Sequence, residues 1–246
     1  MKIGHFSDDH IPECSPCQDS SVDYKLNSRG YRCAEWDPLP TGKKNMVVMG
    51  CSHTFGVGNQ DGTSWVDIIQ ARLNRDNKDR LIRVWNLGCP GASADKVTRL
   101  LMSTEKVLFP KIILICWPEI SRRERLQDIP SDTGSSTPEF IRHETEQTDL
   151  HNLYKNIFLS EKYAEKVGSK IFHCFANDTP AVDLKNVYNK FSLRSCWPVW
   201  DNHRLSTAQR EHVREHDVAL DGKHFGSQHH SRFGNLIYDA FGVKIK

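Results

Sequence analysis

The chain alternates short, continuously apolar runs with longer stretches whose apolar residues recur at helical spacing. Met46-Val47-Val48-Met49 is apolar at every position and ends at Gly50, so it predicts a buried strand. A polar, glycine-rich loop follows. Over 63–73, Trp65, Ile68, Ile69 and Leu73 fall on one helical face, and Thr63 or Ser64 can cap the first free amides. Leu81–Trp85 predicts a second strand. Ala94–Leu108 predicts a second helix, with Val97, Leu100, Leu101 and Leu108 inward and Pro110 ending it. Lys111–Trp117 is apolar on both faces, as a central parallel strand should be. Leu153–Val167 predicts a helix with Leu153, Ile157, Ala164 and Val167 inward and Gly168 as its stop. Lys170–Ala176 predicts a fourth strand, and Ser227–Phe241 a closing helix with Phe233, Leu236, Ile237 and Ala240 inward. This alternation argues a parallel three-layer α/β/α sandwich. Right-handed crossovers place the loops after the strands on one edge, where such folds bind ligands.

Two stretches break the rhythm. Residues 1–44 are polar, punctuated by Pro12, Pro16, Pro38 and Pro40, and read as an irregular N-terminal arm. Residues 120–150 are rich in Arg, Glu, Asp, Ser and Thr and read as an insertion, either an excursion over the sheet edge or a mobile flap. The expected organisation is therefore an arm over 1–44 and one domain over 45–246, with an insertion at about 120–150.

Composition narrows the function classes. The 246 residues carry 33 Lys+Arg and 31 Asp+Glu, a formal net charge of +2, so no basic field recommends a nucleic-acid partner. No apolar run approaches the roughly 18 residues of a membrane helix. The segment Met1–Asp8 lacks the apolar core of a secretory signal, so a cytoplasmic location is expected. The eight cysteines then read as free thiols of a reducing compartment rather than a disulfide framework. Cys116 and Cys174 lie in strand-like runs, where cysteine acts as a small hydrophobe. A zinc site on Cys14, Cys17, Cys33 and His10 is the alternative, but a second CxxC or HxxxH partner is missing.

Three blocks could carry chemistry. The first is Gly50-Cys51-Ser52-His53-Thr54-Phe55-Gly56-Val57-Gly58. A serine directly after a buried strand is held at the functional edge, where its own amide can help bind an oxyanion. The alternative is a capping serine in a βα loop. The second is Asn86-Leu87-Gly88-Cys89-Pro90-Gly91, in which Gly91 can present a bare N–H; its alternative is a tight turn needing positive φ. The third is Asp221-Gly222-Lys223-His224. Its spacing lets the carboxylate reach His224 Nδ1, leaving Nε2 to take a proton. His212, His216, His229 and His230 read as solvated, with a metal site as the alternative.

Together these blocks resemble the SGNH hydrolases, also called GDSL-like lipases and esterases. Gly50–Thr54 stands where the family has Gly-Asp-Ser-x-Thr/Ser, and Ser52 matches its nucleophile. Gly91 matches the oxyanion glycine, His224 the general base and Asp221 the residue that orients it. Asn27-Ser28-Arg29-Gly30-Tyr31-Arg32 is similar to the segment preceding the first strand in many members. The resemblance runs from about residue 27 to the C-terminus. It implies a flavodoxin-like parallel sheet of about five strands and no metal or organic cofactor.

Two departures stand out. Cys51 replaces the usual aspartate. The third block, Cys116–Glu124, holds no asparagine where the family places an oxyanion donor, a loss of roughly 2.7–4 kcal/mol of transition-state stabilisation. Arg122, Arg123 or Asn177 are the candidates to compensate. For the arginines the alternative is solvated pairing of Arg122, Arg123 and Arg125 with Glu119 and Glu124. Asn86, Arg122, Arg123 and Asn177 are the candidate substrate-binding residues.

The resemblance implies a serine esterase acting through a covalent acyl-enzyme. The low hydrophobicity of the insertion points to a small acyl group, such as O-acetyl on a sugar, with a small-molecule or carbohydrate ester as partner. A non-catalytic protein retaining the fold and an O-acyltransferase are the alternatives. Trp36, Trp197 and Trp200 could stack on sugar or pack their loops. Oligomeric state is not legible.

Overall fold

The computed structural model describes residues 22–36, 44–76, 82–124, 145–176 and 217–245. Its sheet contains β1 (Lys44–Gly50), β2 (Ile82–Gly88), β3 (Ile112–Trp117) and β4 (Lys170–Phe175). The strands are all parallel, in the order β2-β1-β3-β4. The described residues thus form four strands, not the five implied by the resemblance. The apolar runs themselves marked only these four, and the chain after β4, from 177 to 216, lies outside the described residues.

Side-chain alternation on β1 divides the core into two layers. Met46 and Val48 face one way and meet Trp65, Ile69, Leu73, Phe233 and Ile237. These come from α2 (Trp65–Asp76) and α5 (Ser227–Ile245). Val47 and Met49 face the other way and meet Val97, Leu101, Leu153 and Ile157, from α3 (Ala94–Leu108) and α4 (Glu146–Val167). The result is an α/β/α sandwich. A one-turn helix, α1 (Ser52–Phe55), follows β1 directly.

Helix ends follow local chemistry. Ser64 caps α2: its Oγ accepts from the Asp67 amide at 3.2 Å while Asp67 Oδ2 accepts from the Ser64 amide at 3.1 Å. Helix α4 starts seven residues before the expected Leu153. Its first turns are solvated, and a reciprocal cap between Thr145 and Thr148 holds them instead of an apolar stripe. The 120–150 excursion therefore ends in helix. At Gly234, an added Cβ would lie 2.8 Å from the Trp65 carbonyl oxygen, so only glycine lets α5 pack this closely on α2.

The arm is not loose where it is described. Asn27 Oδ1 accepts the amides of Arg29 (3.0 Å) and Tyr31 (2.9 Å), folding a turn that drives Tyr31 fully into the core. Trp36 stacks on Tyr31, with ring centroids 5.4 Å apart, so it packs its own loop. Trp197 and Trp200 lie outside the described residues. The five described cysteines, Cys33, Cys51, Cys89, Cys116 and Cys174, are free thiols, and Cys14, Cys17 and Cys196 are not described. Among the described residues no helix is long and apolar enough to cross a membrane.

Candidate active site

The strand order reverses between β1 and β3. The chain goes from β1 outward to β2, then back past β1 to β3. Such a switch point opens a crevice at the carboxyl ends of the strands. Ser52 follows β1 directly, so it stands at that crevice. Cys89 donates its amide to Gly50 O at 2.9 Å, which brings the Gly91 loop to one side. On the other side, a Cβ on Gly50 would lie 2.6 Å from Cys116 O and closer still to Thr54 Oγ1. The first block therefore tolerates only glycine before Cys51, because both β3 and α1 press on it.

Helix α1 is too short to hold itself, so its position is imposed from outside. Asn86 Nδ2 donates to Thr54 O at 2.9 Å, and Asn86 Oδ1 accepts the Gly88 amide at 3.0 Å. Asn86 is 3% exposed, so its amide faces the fold rather than a substrate, in contrast to the sequence expectation. Gly88 matters for the same reason: a Cβ there would meet backbone C of Thr54 at 2.6 Å. From the arm, buried Arg32 donates to Gly56 O (2.8 Å), Phe55 O (3.3 Å) and Asn59 O (2.8 Å). A guanidinium on the last carbonyls of a helix also complements its dipole. This gives the Asn27–Arg32 segment a physical task. The signal was available as an arginine in an otherwise polar arm, but nothing in the sequence named its target.

The Asp221–His224 block is the tip of a short hairpin. Val218 bridges Phe225, and Ala219 donates to His224 O at 2.9 Å. The hairpin docks on the far end of the Ser52 loop. Leu220 donates to Gly58 O (2.9 Å), and Asn59 Nδ2 to Phe225 O (2.9 Å). Gly58, at φ 74°, lies so close that a Cβ would meet that of Ala219 at 2.6 Å. These contacts bring Ser52 and His224 to the same edge of the sheet. The ring of His53, next to Ser52, meets His224 edge-on with centroids 5.7 Å apart.

Asp221 Oδ2 lies 2.5 Å from His224 Nδ1, while Oδ1 accepts the amides of Lys223 and His224, each at 3.0 Å. Burial pushes the Asp221 carboxyl up, but the amide and ring of His224 and the amide of Lys223 outweigh it and hold the group below its ordinary value. An ionised Asp221 accepts a hydrogen bond from Nδ1–H of His224, which leaves the lone pair of the imidazole on Nε2.

Gly91 has φ 78° and closes a turn in which Ala92 donates to Cys89 O at 3.0 Å. Proline second and glycine third with positive φ is the type II arrangement. The turn reading and the donor reading are thus compatible, because the turn occupies the Ala92 amide and not that of Gly91.

The two arginines after β3 diverge. Arg123 is tied to Asp149 at 2.5 Å and to Ile120 O at 2.8 Å, so it anchors the loop on α4. Glu124 pairs with Arg99. Of the alternative reading, solvated pairing of Arg122, Arg123 and Arg125 with Glu119 and Glu124, the structure shows that Arg123 and Glu124 each take partners distant in sequence. Arg122 Nη1 is buried without a hydrogen-bond partner among the described residues. Asn177 and Arg125 lie outside the described residues.

The histidines also differ from expectation. His229 and His230 are 2% and 1% exposed, not solvated. His230 Nδ1 accepts the Trp65 amide at 3.1 Å, and His229 stacks on Phe225 at 4.1 Å. Both face inward from α5, where the sequence offered no apolar residue to mark the stripe. His53 is kept neutral by burial first, then by His224, His230, Arg122 and His229. His212 and His216 are not described.

No protein-family model and no curated protein sequence matches the chain. Solved structures do. EstA, a psychrotrophic esterase from Pseudoalteromonas sp., aligns with TM-score 0.53 at 11% identity, over 82% of this chain and 99% of that one. TesA aligns at 0.52 and 14%, over 80% and 98%. A mutant of Axe2, an acetyl-xylooligosaccharide esterase from Geobacillus, aligns at 0.52 and 14%, over 82% and 95%. At 11–14% identity the likeness is one of fold: the chain has the α/β/α fold of these esterases, as its resemblance to the SGNH, or GDSL-like, family implies.

Proposed function

We propose that the chain is a serine esterase that removes a small acyl group, such as acetyl, from a carbohydrate. The observation that carries this reading is the Asp221–His224 pair, 2.5 Å apart, docked on the loop of Ser52. Ser52 Oγ adds to the ester carbonyl while His224 Nε2 takes its proton. The amides of Ser52 and Gly91 receive the oxyanion. Collapse expels the alcohol, which takes the proton back from His224 and leaves an acyl-serine. Water repeats the sequence and releases the acid. Asp221 holds the imidazole in the required tautomer throughout. An acetylated sugar is favoured by the low hydrophobicity of the sequence over 120–150 and by the acetyl-xylooligosaccharide esterase among the structures sharing the fold.

Incubation with p-nitrophenyl acetate and a fluorophosphonate, beside Ser52→Ala, tests the reading. Wild type should turn over and label at Ser52, and the variant should do neither. Wild type that neither hydrolyses nor labels would favour a non-catalytic protein. Acyl transfer to added polyols in preference to water would favour an acyltransferase.

A further inference from the structure

We propose that Arg122 supplies the oxyanion donor that the missing asparagine would give, so that the tetrahedral intermediate is held by a guanidinium as well as by backbone amides. The assignment rests on the esterase reading and deepens it.

Topology places the residue. The crevice at the switch point lies between the loops after β1 and β3. Ser52 belongs to the first loop and Arg122 to the second. The two strands are in register up to Met49 and Ile115, and Gly50 touches the carbonyl of Cys116. The loop then turns at Glu119, whose carbonyl accepts the Arg122 amide at 3.2 Å.

The flanking residues fix the direction. Arg123 is bound to Ile120 O and to Asp149 of α4, and Glu124 to Arg99 of α3. Both ties draw their side chains to the α3–α4 layer. Arg122 goes elsewhere: its Nη1 is buried and has no hydrogen-bond partner among the described residues. Its charge acts on both chain neighbours of Ser52. Burial pushes the Cys51 thiol up, and Arg122 is the strongest opposing influence. Burial and nearby histidines keep His53 neutral, and Arg122 adds to them. Ser52 lies between these two residues.

A guanidinium nitrogen buried with no hydrogen-bond partner among the described residues is unfavourable in the resting protein. An oxyanion that exists only during reaction would satisfy it at the moment charge develops, which is the condition for lowering the barrier rather than the ground state. In the step itself, the Ser52 Oγ–C bond forms and the carbonyl π pair moves to oxygen. The hydroxyl proton passes to His224, and the new alkoxide accepts from Arg122. Collapse returns that pair to the carbonyl and breaks the bond to the leaving alcohol. Arg122 neither gains nor loses a proton, since guanidinium stays charged.

The test uses the full chain with Arg122→Met, which keeps the apolar stem, and Arg122→Lys. On p-nitrophenyl acetate, kcat of Arg122→Met should fall about 100- to 1000-fold, with KM little changed and the melting temperature retained. Arg122→Lys should recover part of the loss. Added guanidinium ion, well below denaturing concentration, should raise the rate of Arg122→Met but not of wild type. A KM increase with unchanged kcat would overturn the assignment and make Arg122 a ground-state binder. Unaltered kinetics, or a loss that tracks unfolding with no guanidinium rescue, would overturn it too. Wild type without turnover or labelling would sink the esterase reading, and this assignment with it. Wild-type turnover beside an unaffected Arg122→Met would sink the assignment alone.

Discussion

Mild acid should destabilise this protein through two histidines in the first turn of α5. His229 and His230 are 2% and 1% exposed. Burial is the main cause of their shifts, which bring His229 down to about 4 and His230 to about 3 from an ordinary value of 6.5. Both folded values are depressed, so the unfolded chain takes up protons below pH 6.5 that the folded chain refuses. Stability is therefore full above pH 6.5 and falls as the pH drops toward 4. Each pH unit in that window costs about 1.4 kcal/mol per histidine. At about pH 5 the pair together costs about 4 kcal/mol, a large part of the roughly 5–15 kcal/mol that holds a domain. His53, also depressed, acts in the same direction. Urea unfolding between about pH 7.5 and 5 measures the slope, which should approach two protons or more. His230→Gln keeps an acceptor near the Trp65 amide but removes one titration, so its slope should be shallower by about one proton. Equal slopes in the two proteins, or a stability that stays flat down to pH 5, would refute the argument.

Asn86→Ala leaves Thr54 O and the Gly88 amide without their partner. At about 1–3 kcal/mol each, denaturant unfolding should report a loss of roughly 2–6 kcal/mol, and a loss well under that range would mean water replaces the side chain. Gly88→Ala puts a Cβ 2.6 Å from backbone of Thr54, so α1 must shift. Esterase kcat should then fall about 100-fold, as expected for a displacement near 1 Å, and full activity would contradict the close packing. Asp221→Asn removes the charge that sets the His224 tautomer. Its kcat should drop about 10,000-fold while the fold survives, and a modest drop would mean Asp221 only caps its turn.

Strands β1 and β3 are legible because a parallel strand buried on both faces leaves an unbroken apolar run, whereas β2, expected over Leu81–Trp85, runs on to Gly88 through the buried polar Asn86. Helix α3 was read to the residue for a similar reason: its stripe and Pro110 both mark it. Helix α4 was read short because a cap, not burial, builds its first turns. The His–Asp pair was legible because its spacing is local. What escaped was set by partners distant in the sequence. Nothing near Arg123 indicates that it reaches Asp149, and nothing near Glu124 indicates Arg99. Residue type predicts solvated side chains at His229 and His230, yet both are buried, with His230 accepting the Trp65 amide. Polar residues buried through long-range hydrogen bonds leave no hydrophobic periodicity to read.

The same class of residue explains why Ser52 has a fixed position at all. Four residues of helix after a strand cannot be stable alone. Apolar contacts would hold α1 against the sheet, but they are non-directional and tolerate sliding. The directional contacts are Asn86 from β2, Arg32 from the arm and Leu220 from the His224 hairpin, which reach Thr54 O, Gly56 O and Gly58 O respectively. Each meets a backbone carbonyl of the Ser52 loop, so each constrains orientation as well as depth. The Tyr24 hydroxyl adds a fourth, accepting the Gly58 amide at 2.7 Å. All four of these groups come from segments far from Ser52 in sequence, and two come from the stretch before β1. Arg32→Met with Tyr24→Phe keeps Tyr31 in the core and removes only the polar contacts of these two side chains, so it should leave the sheet folded but free the loop. This double variant should lose kcat while still unfolding in one cooperative transition. If it kept wild-type kcat, the arm would be packing only, and the positioning argument would fail.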